Sequence, residues 1–275
     1  MTERVLLAGC GDLGLRVAAR LQDRGHEVWA LRRSPREDLS EGIRWLRGDL
    51  TAPSTLAGLP VGFTQVVYSP TPGAREEAAY RAVFVDGLRH LVEAVATKDV
   101  KRWLFVSSSA VYGEHGDAWV DETTPTDPPG FNGRILREAE QWLALQGLPA
   151  VSMRLAGIYG AGRTQLLDRI RAGVARVPRG SPHWSNRIHA DDAAAAIAHV
   201  LSLPEVDPLY LGVDDTPLPM DVLYDALADL MHVPRPAEGP APAGIGSKKL
   251  SNARLKATGF RCQWPDAREG YRALV

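Results

Sequence analysis

"RVLLAGCGDLGLRVAARLQDRG", residues 4–25, decides how this chain is read. Its first six residues form a short apolar run closed by glycine, the pattern of a strand buried on both faces. Gly9, Gly11 and Gly14 then fall in G-x-G-x-x-G spacing, with Asp12 and Leu13 inside the motif. From Leu13 apolar residues recur at helical spacing until Gly25, which supplies a C-terminal cap. Strand, glycine turn and helix in this order make a phosphate-binding turn. Gly9 permits the sharp bend, Gly11 lets the backbone approach a pyrophosphate, and Gly14 brings the helix close to the strand. The helix N-terminus favours the anion.

The pattern repeats outward. "HEVWALRR" reads as a second strand, 43–49 as a third and 64–70 as a fourth. A long helix is expected over 76–99, a fifth strand and loop over 102–113, and a helix over about 133–147. Strand character returns at 150–160 and 208–213, with helices at 188–204 and 220–233. Residues 234–246 are rich in Pro, Gly and Ala and read as a flexible loop. Apolar strands separated by helices predict an α/β chain with a doubly wound parallel (Rossmann) sheet, and 275 residues leave room for a small C-terminal lobe beside it. The expected boundaries are 1–155 for the dinucleotide-binding domain, with 187–213 returning to it, and 156–186 plus 214–275 for the smaller lobe.

Composition narrows the partners. The formal net charge of -1 over 275 residues gives no basic surplus for nucleic acid or an anionic membrane. No apolar run approaches the roughly 20 residues of a membrane span, and the opening "MTERVLLAGCG" does not read as a signal peptide. Two cysteines, Cys10 and Cys262, suggest neither a disulfide framework nor a metal cage, so a cytoplasmic setting is expected. The second strand ends in Arg32 and Arg33, where a carboxylate would bond the ribose 2′-hydroxyl of NAD. Two guanidiniums suit a 2′-phosphate instead, which favours NADP over NAD.

With these residues in view the chain resembles the extended short-chain dehydrogenase/reductases, the family of NAD(P)-dependent sugar epimerases and dehydratases. "GDL" at 48–50 looks like the family's adenine-contacting segment, which implies cofactor roles for Asp49 and Leu50. "FVSSSAVYG" (105–113), "MRLAGIYGAGR" (153–163), "RIHADDAAAAI" (187–197) and "KLSNARLKATGFR" (249–261) are similar to further family segments, in family order. The resemblance adds Tyr68, Ser69 and Ser107 to the cofactor set and makes Ser108 the catalytic hydroxyl. It also exposes a departure. The family's Tyr-x-x-x-Lys pair, whose phenol does proton transfer and whose lysine supports it, aligns with Asn132 and Leu136 in "NGRILREAE".

Asparagine is no base near neutral pH, and leucine carries no charge. Tyr112, Tyr159, His183 and His189, the last followed by Asp191 and Asp192, are the candidate replacement acids. Structural roles are the simpler reading of the two tyrosines, and the two acids suit helix capping. His183 sits in a loop expected to be mobile and to face a substrate. The resemblance makes the small C-terminal lobe a substrate lobe, and Arg163, Arg176, Arg179, Arg187, Lys248 and Lys249, which lie in its segments, are candidate holders of an anionic substrate. Two readings follow: an atypical NADP(H)-dependent epimerase or reductase acting on a small, nucleotide-linked or otherwise anionic molecule, or an inactive NADP(H)-binding sensor or regulatory module. A monomer or a homodimer fits either.

Overall fold

A computed structural model describes residues 2–35 and 41–275. Among the described residues, seven strands form one parallel sheet. They are β1 (Arg4–Ala8), β2 (Glu27–Arg32), β3 (Arg44–Arg47), β4 (Gln65–Tyr68), β5 (Arg102–Ser108), β6 (Ala150–Leu155) and β7 (Leu209–Gly212). Their spatial order is β7-β6-β5-β4-β1-β2-β3. The chain steps outward from β1 to β3, then returns to place β4 on the other side of β1. That reversal is a topological switch point, where open α/β sheets bind ligands beyond their carboxyl ends. Val5, Leu6, Leu7 and Ala8 are all fully buried, as a central parallel strand requires.

The helices are α1 (Asp12–Asp23), α2 (Glu77–Arg81), α3 (Gly87–Ala94), α4 (Phe131–Ala144), α5 (Gln165–Arg171), α6 (Ala190–Ser202), α7 (Met220–Leu230), α8 (Ala253–Ala257) and α9 (Ala267–Arg272). In α1, Leu13, Val17 and Leu21 make the buried stripe, with Gly14 and Ala18 beside it. Gly25, at φ 75°, ends the segment, and its N–H donates to the Gln22 carbonyl at 2.8 Å.

The chain divides by packing into two compact units. The first holds residues 1–108, 131–154 and 194–209; the second holds 109–130, 155–193 and 210–275. In the first unit three side chains finish the C-terminal end of α6. Arg102 donates to the carbonyls of Val200 (3.0 Å) and Leu203 (3.1 Å), Gln65 to Leu201 (3.0 Å), and Arg24 to Ala198 (2.5 Å). They satisfy carbonyls that a helix end leaves without intrahelical partners.

The single helix expected over 76–99 is broken up. A π-type turn, Ala82–Asp86, separates α2 from α3, and Val95 turns extended after Ala94. The cause lies on β4. The Tyr68 hydroxyl donates to the Val83 carbonyl at 2.6 Å, inside the widened turn. A Cβ at Gly87 would come within 3.0 Å of that same hydroxyl, so the helix passes close over Tyr68 only because residue 87 is glycine.

The second unit has its own core, in which Leu167, Ile170, Val177, Leu223, Leu227 and Tyr271 pack together. Short strand pairs brace it: Gly157–Tyr159 with Arg187–His189, and Arg176–Val177 with Ala237–Glu238. The latter corrects the reading of 234–246 as wholly irregular, since 237–238 pair as a strand.

Candidate functional site

The carboxyl ends of β1, β2, β3 and β4 surround a cavity of about 250 Å³ in the first unit. Gly9, Gly11, Arg32, Arg33, Asp49 and Leu50, all read from the sequence, line it. Each glycine of the turn meets a different constraint. Gly9 has φ 82°, and a Cβ there would sit 2.4 Å from the Pro70 Cα. Gly14 faces the Cys10 sulfur, 3.0 Å from where its Cβ would be. A Cβ on Gly11 would meet none of the described residues within 4 Å, and Gly11 lines the cavity. Gly11 is also the N-cap of α1, and no side chain among the described residues caps that end. The first N–H groups of a helix lack intrahelical acceptors, so this end is prepared for an anion.

The two arginines at the end of β2 differ. Arg32 is half-buried and reaches the Cys10 carbonyl at 3.4 Å. Arg33 is exposed, and its charge acts on Asp49. Burial pushes the Asp49 carboxyl up, but hydrogen bonds from the Thr51 N–H (2.9 Å) and hydroxyl (2.8 Å), with Arg33, hold it below its ordinary value. Cys10 is fully buried, and that burial pushes its thiol up to about 12, so it is no nucleophile.

The remaining residues expected at the cofactor are placed differently. Leu13 and Gly14 pack inward from α1, and Asp12 pairs with Arg16 at 3.1 Å. Tyr68 is fully buried, with its hydroxyl on Val83. Ser69 and Ser107 carry buried hydroxyls with no hydrogen-bond partner among the described residues. Ser108 ends β5, half-buried, and Asn132 sits half-buried on the first turn of α4. Leu136 is only 4% exposed and belongs to the core. Thr71, Gly73 and Val83 also line the cavity but carry no local sequence signal. The crossover that sets β4 beside β1 brings them there.

In the second unit the sequence candidates resolve into structural partners. The Tyr112 hydroxyl donates to the Asp121 carbonyl at 2.8 Å. His183, expected to be mobile, is buried, and burial lowers its pKa, so it is held neutral. Asp192, expected to suit helix capping, accepts from the N–H groups of Gln263 (2.8 Å) and Trp264 (2.9 Å) and so fastens the C-terminal segment. Arg179 forms a two-pronged pair with Asp225, and Lys248 is buried on the carbonyls of Tyr112 and Gly246. Lys249 lies over the rings of Trp119 and Trp184. Among the described residues no group of three or more His, Cys, Asp or Glu is arranged to hold a metal.

Asp214 is the most perturbed acid. Burial pushes its carboxyl from near 3.8 up to about 8, and one oxygen has no partner among the described residues. A carboxyl raised in the folded state adds stability that is complete at acid pH and is lost as pH rises through about 8. Asp214→Asn keeps the shape without the charge. The variant is expected to be at least about 1 kcal/mol more stable than the wild-type chain at pH 8, with little difference at pH 4. Urea melts at the two pH values measure it, and an equal gap at both would remove the assignment.

A glycine turn at the switch point of a parallel sheet, with an uncapped helix end and a basic rim, defines a dinucleotide-binding α/β protein. The chain belongs to the NAD dependent epimerase/dehydratase family, whose sequence profile matches residues 5–210. It is 38% identical to a Methylobacillus flagellatus protein of known structure described as an NAD-dependent epimerase/dehydratase. The two superpose with a TM-score of 0.82 over 100% of this chain and 98% of the other. Protein YeeZ of Escherichia coli K12 is 29% identical over 96% of this chain and 97% of its own length. The structure of MoeE5 with UDP-glucuronic acid and NAD shares the fold, at 22% identity and a TM-score of 0.80 over 97% of this chain and 96% of that one.

Proposed function

We propose that the first unit binds NADP(H), and that the protein is an epimerase- or reductase-like enzyme acting on a small or nucleotide-linked anionic substrate through a non-standard site. The observation that carries this is the cavity beyond β1, β2 and β4, which Gly11, Arg32 and Arg33 line. The bound nicotinamide would supply or take up hydride. This chain's part is to hold and orient. The α1 N-terminus and Gly9–Gly11 would take the pyrophosphate, Arg32 and Arg33 the 2′-phosphate, and Asp49 with Leu50 the adenine end. The orphaned hydroxyls of Ser69 and Ser107 fit a polar ligand in the same unit. Ser108 is the hydroxyl assigned to the reacting end.

Calorimetric titration with NADPH and NADH tests the cofactor half. The wild-type chain is expected to bind NADPH ten- to a hundredfold tighter than NADH, since hydrogen bonds to charged groups contribute about 1.5–3 kcal/mol. Arg33→Ala is expected to close most of that gap, and Arg32→Ala part of it. Equal affinity of the wild-type chain for both cofactors would refute the NADP assignment.

A second reading, a cofactor-binding module without turnover, is favoured by Leu136. Its side chain is built into the core at the position that the resemblance assigns to the family lysine. NADPH oxidation over a panel of carbonyl and sugar-nucleotide substrates separates the two readings. Tight binding with no oxidation across the panel would leave only the module.

A further inference from the structure

A separate cavity of about 210 Å³ lies wholly within the second unit. Among the described residues its charged lining is three arginines, Arg163, Arg169 and Arg187, with no acid. Arg169 stands exposed on α5 without an ion pair among the described residues. Arg187 comes from the strand paired with 157–159, and its guanidinium Nε donates to the Ser185 hydroxyl at 3.0 Å. Tyr224 of α7 and Tyr271 of α9 complete the wall. Their side chains are largely buried, at 6% and 1% exposure, and as lining residues they can add hydroxyl donors beside the arginines.

The chemistry of a matching ligand follows from the donors. Arginine forks match oxyanions, and tyrosine hydroxyls add further donors at defined positions. Three guanidiniums favour a dianion over a single carboxylate. The charge of Arg187 acts on Asp214, a buried acid that is mostly protonated at neutral pH because burial pushes it up to about 8. The volume is below the roughly 300–1,000 Å³ of pockets that enclose a drug-sized ligand. We propose that this cavity is a binding site for a phosphate dianion, free or carried as the end group of a small molecule. The site stands apart from the dinucleotide cavity and does not depend on any cofactor assignment.

Calorimetric titration of the full chain with inorganic phosphate, phenyl phosphate and acetate at low salt tests it. Inorganic phosphate is expected to saturate with a Kd of about 1 mM or tighter. Arg169→Ala is expected to weaken it at least about tenfold, and Tyr224→Phe, which removes only the hydroxyl, about threefold. Arg171→Ala is the matched control. It is on the same helix but pairs with Asp168 and lies outside the cavity, so it should change nothing. Thermal melts of each variant confirm the fold. Phenyl phosphate binding tighter than phosphate would identify the anion as part of a larger ligand, and the reverse would identify free phosphate; both uphold the site. The proposal is overturned by unchanged binding in Arg169→Ala, by equal loss in Arg171→Ala, or by acetate binding as tightly as phosphate. Phosphate binding that is lost in Arg33→Ala but kept in Arg169→Ala would place the anion in the dinucleotide cavity and overturn it too.

Discussion

Glu140→Ala is expected to lower the unfolding free energy by about 3–5 kcal/mol, measured by urea denaturation. Glu140 on α4 and Arg154 on β6 are both buried, and they meet at 2.6–3.2 Å through Nε and Nη2. Removing the carboxylate leaves a guanidinium in the core without its principal counter-charge, and desolvation makes that costly. The same substitution at Glu138, two residues earlier, is a useful contrast. Its two-pronged pair with Arg81 is largely exposed, and exposed pairs contribute at most about 1 kcal/mol. If the pair acts mainly through the cost of an uncompensated charge, Glu140→Met with Arg154→Met will recover most of the loss. A double variant as unstable as Glu140→Ala would mean that the pair itself, not the orphaned charge, holds α4 on the sheet.

Gly9→Ala is expected to destabilise by roughly 3 kcal/mol or more and to abolish dinucleotide binding. An L side chain at φ 82° costs about 1–2 kcal/mol by itself. The added Cβ would also lie 2.4 Å from the Pro70 Cα, which is backbone and cannot rotate away. Gly11→Ala separates folding from binding. Its backbone is extended, at φ -89°, and its Cβ would meet none of the described residues within 4 Å. Stability should therefore stay within about 0.5 kcal/mol of the wild-type chain, while NADPH affinity falls at least about tenfold. Thermal melts and NADPH titrations on both variants read the two effects apart. A Gly11→Ala protein that binds NADPH as the wild-type chain does would show that the turn does not approach a pyrophosphate.

The two positions on α4 that the resemblance aligns with the family's Tyr and Lys differ in their surroundings. Asn132 is half-buried on the first turn, but Leu136 is in the core. A lysine at 136 would have to carry its charge out of apolar packing.

What the sequence by itself determined is what depends on neighbours along the chain. The glycine spacing, the strand that precedes it, the helix that follows and the cap at Gly25 are all local, because φ preferences and hydrophobic periodicity act over a few residues. Arg32 and Arg33 were legible at the cavity rim for the same reason, being the last residues before a chain turn beyond a strand end. What only the tertiary structure decided is what requires residues far apart to meet. Thr71, Gly73 and Val83 reach the dinucleotide cavity through the crossover that sets β4 beside β1. The long helix gave way to a π-type turn because one hydroxyl on β4 demanded a carbonyl from it. Of the six cations read as anion holders along the chain, packing of α5, α7, α9 and one short strand brings Arg163 and Arg187 to the second cavity, beside two tyrosines, and adds Arg169, which the sequence did not single out. Arg176, Arg179, Lys248 and Lys249 are taken up by carbonyls, an acid and aromatic rings. Charge pairing depends on distance in space, and a sequence fixes that only through the fold.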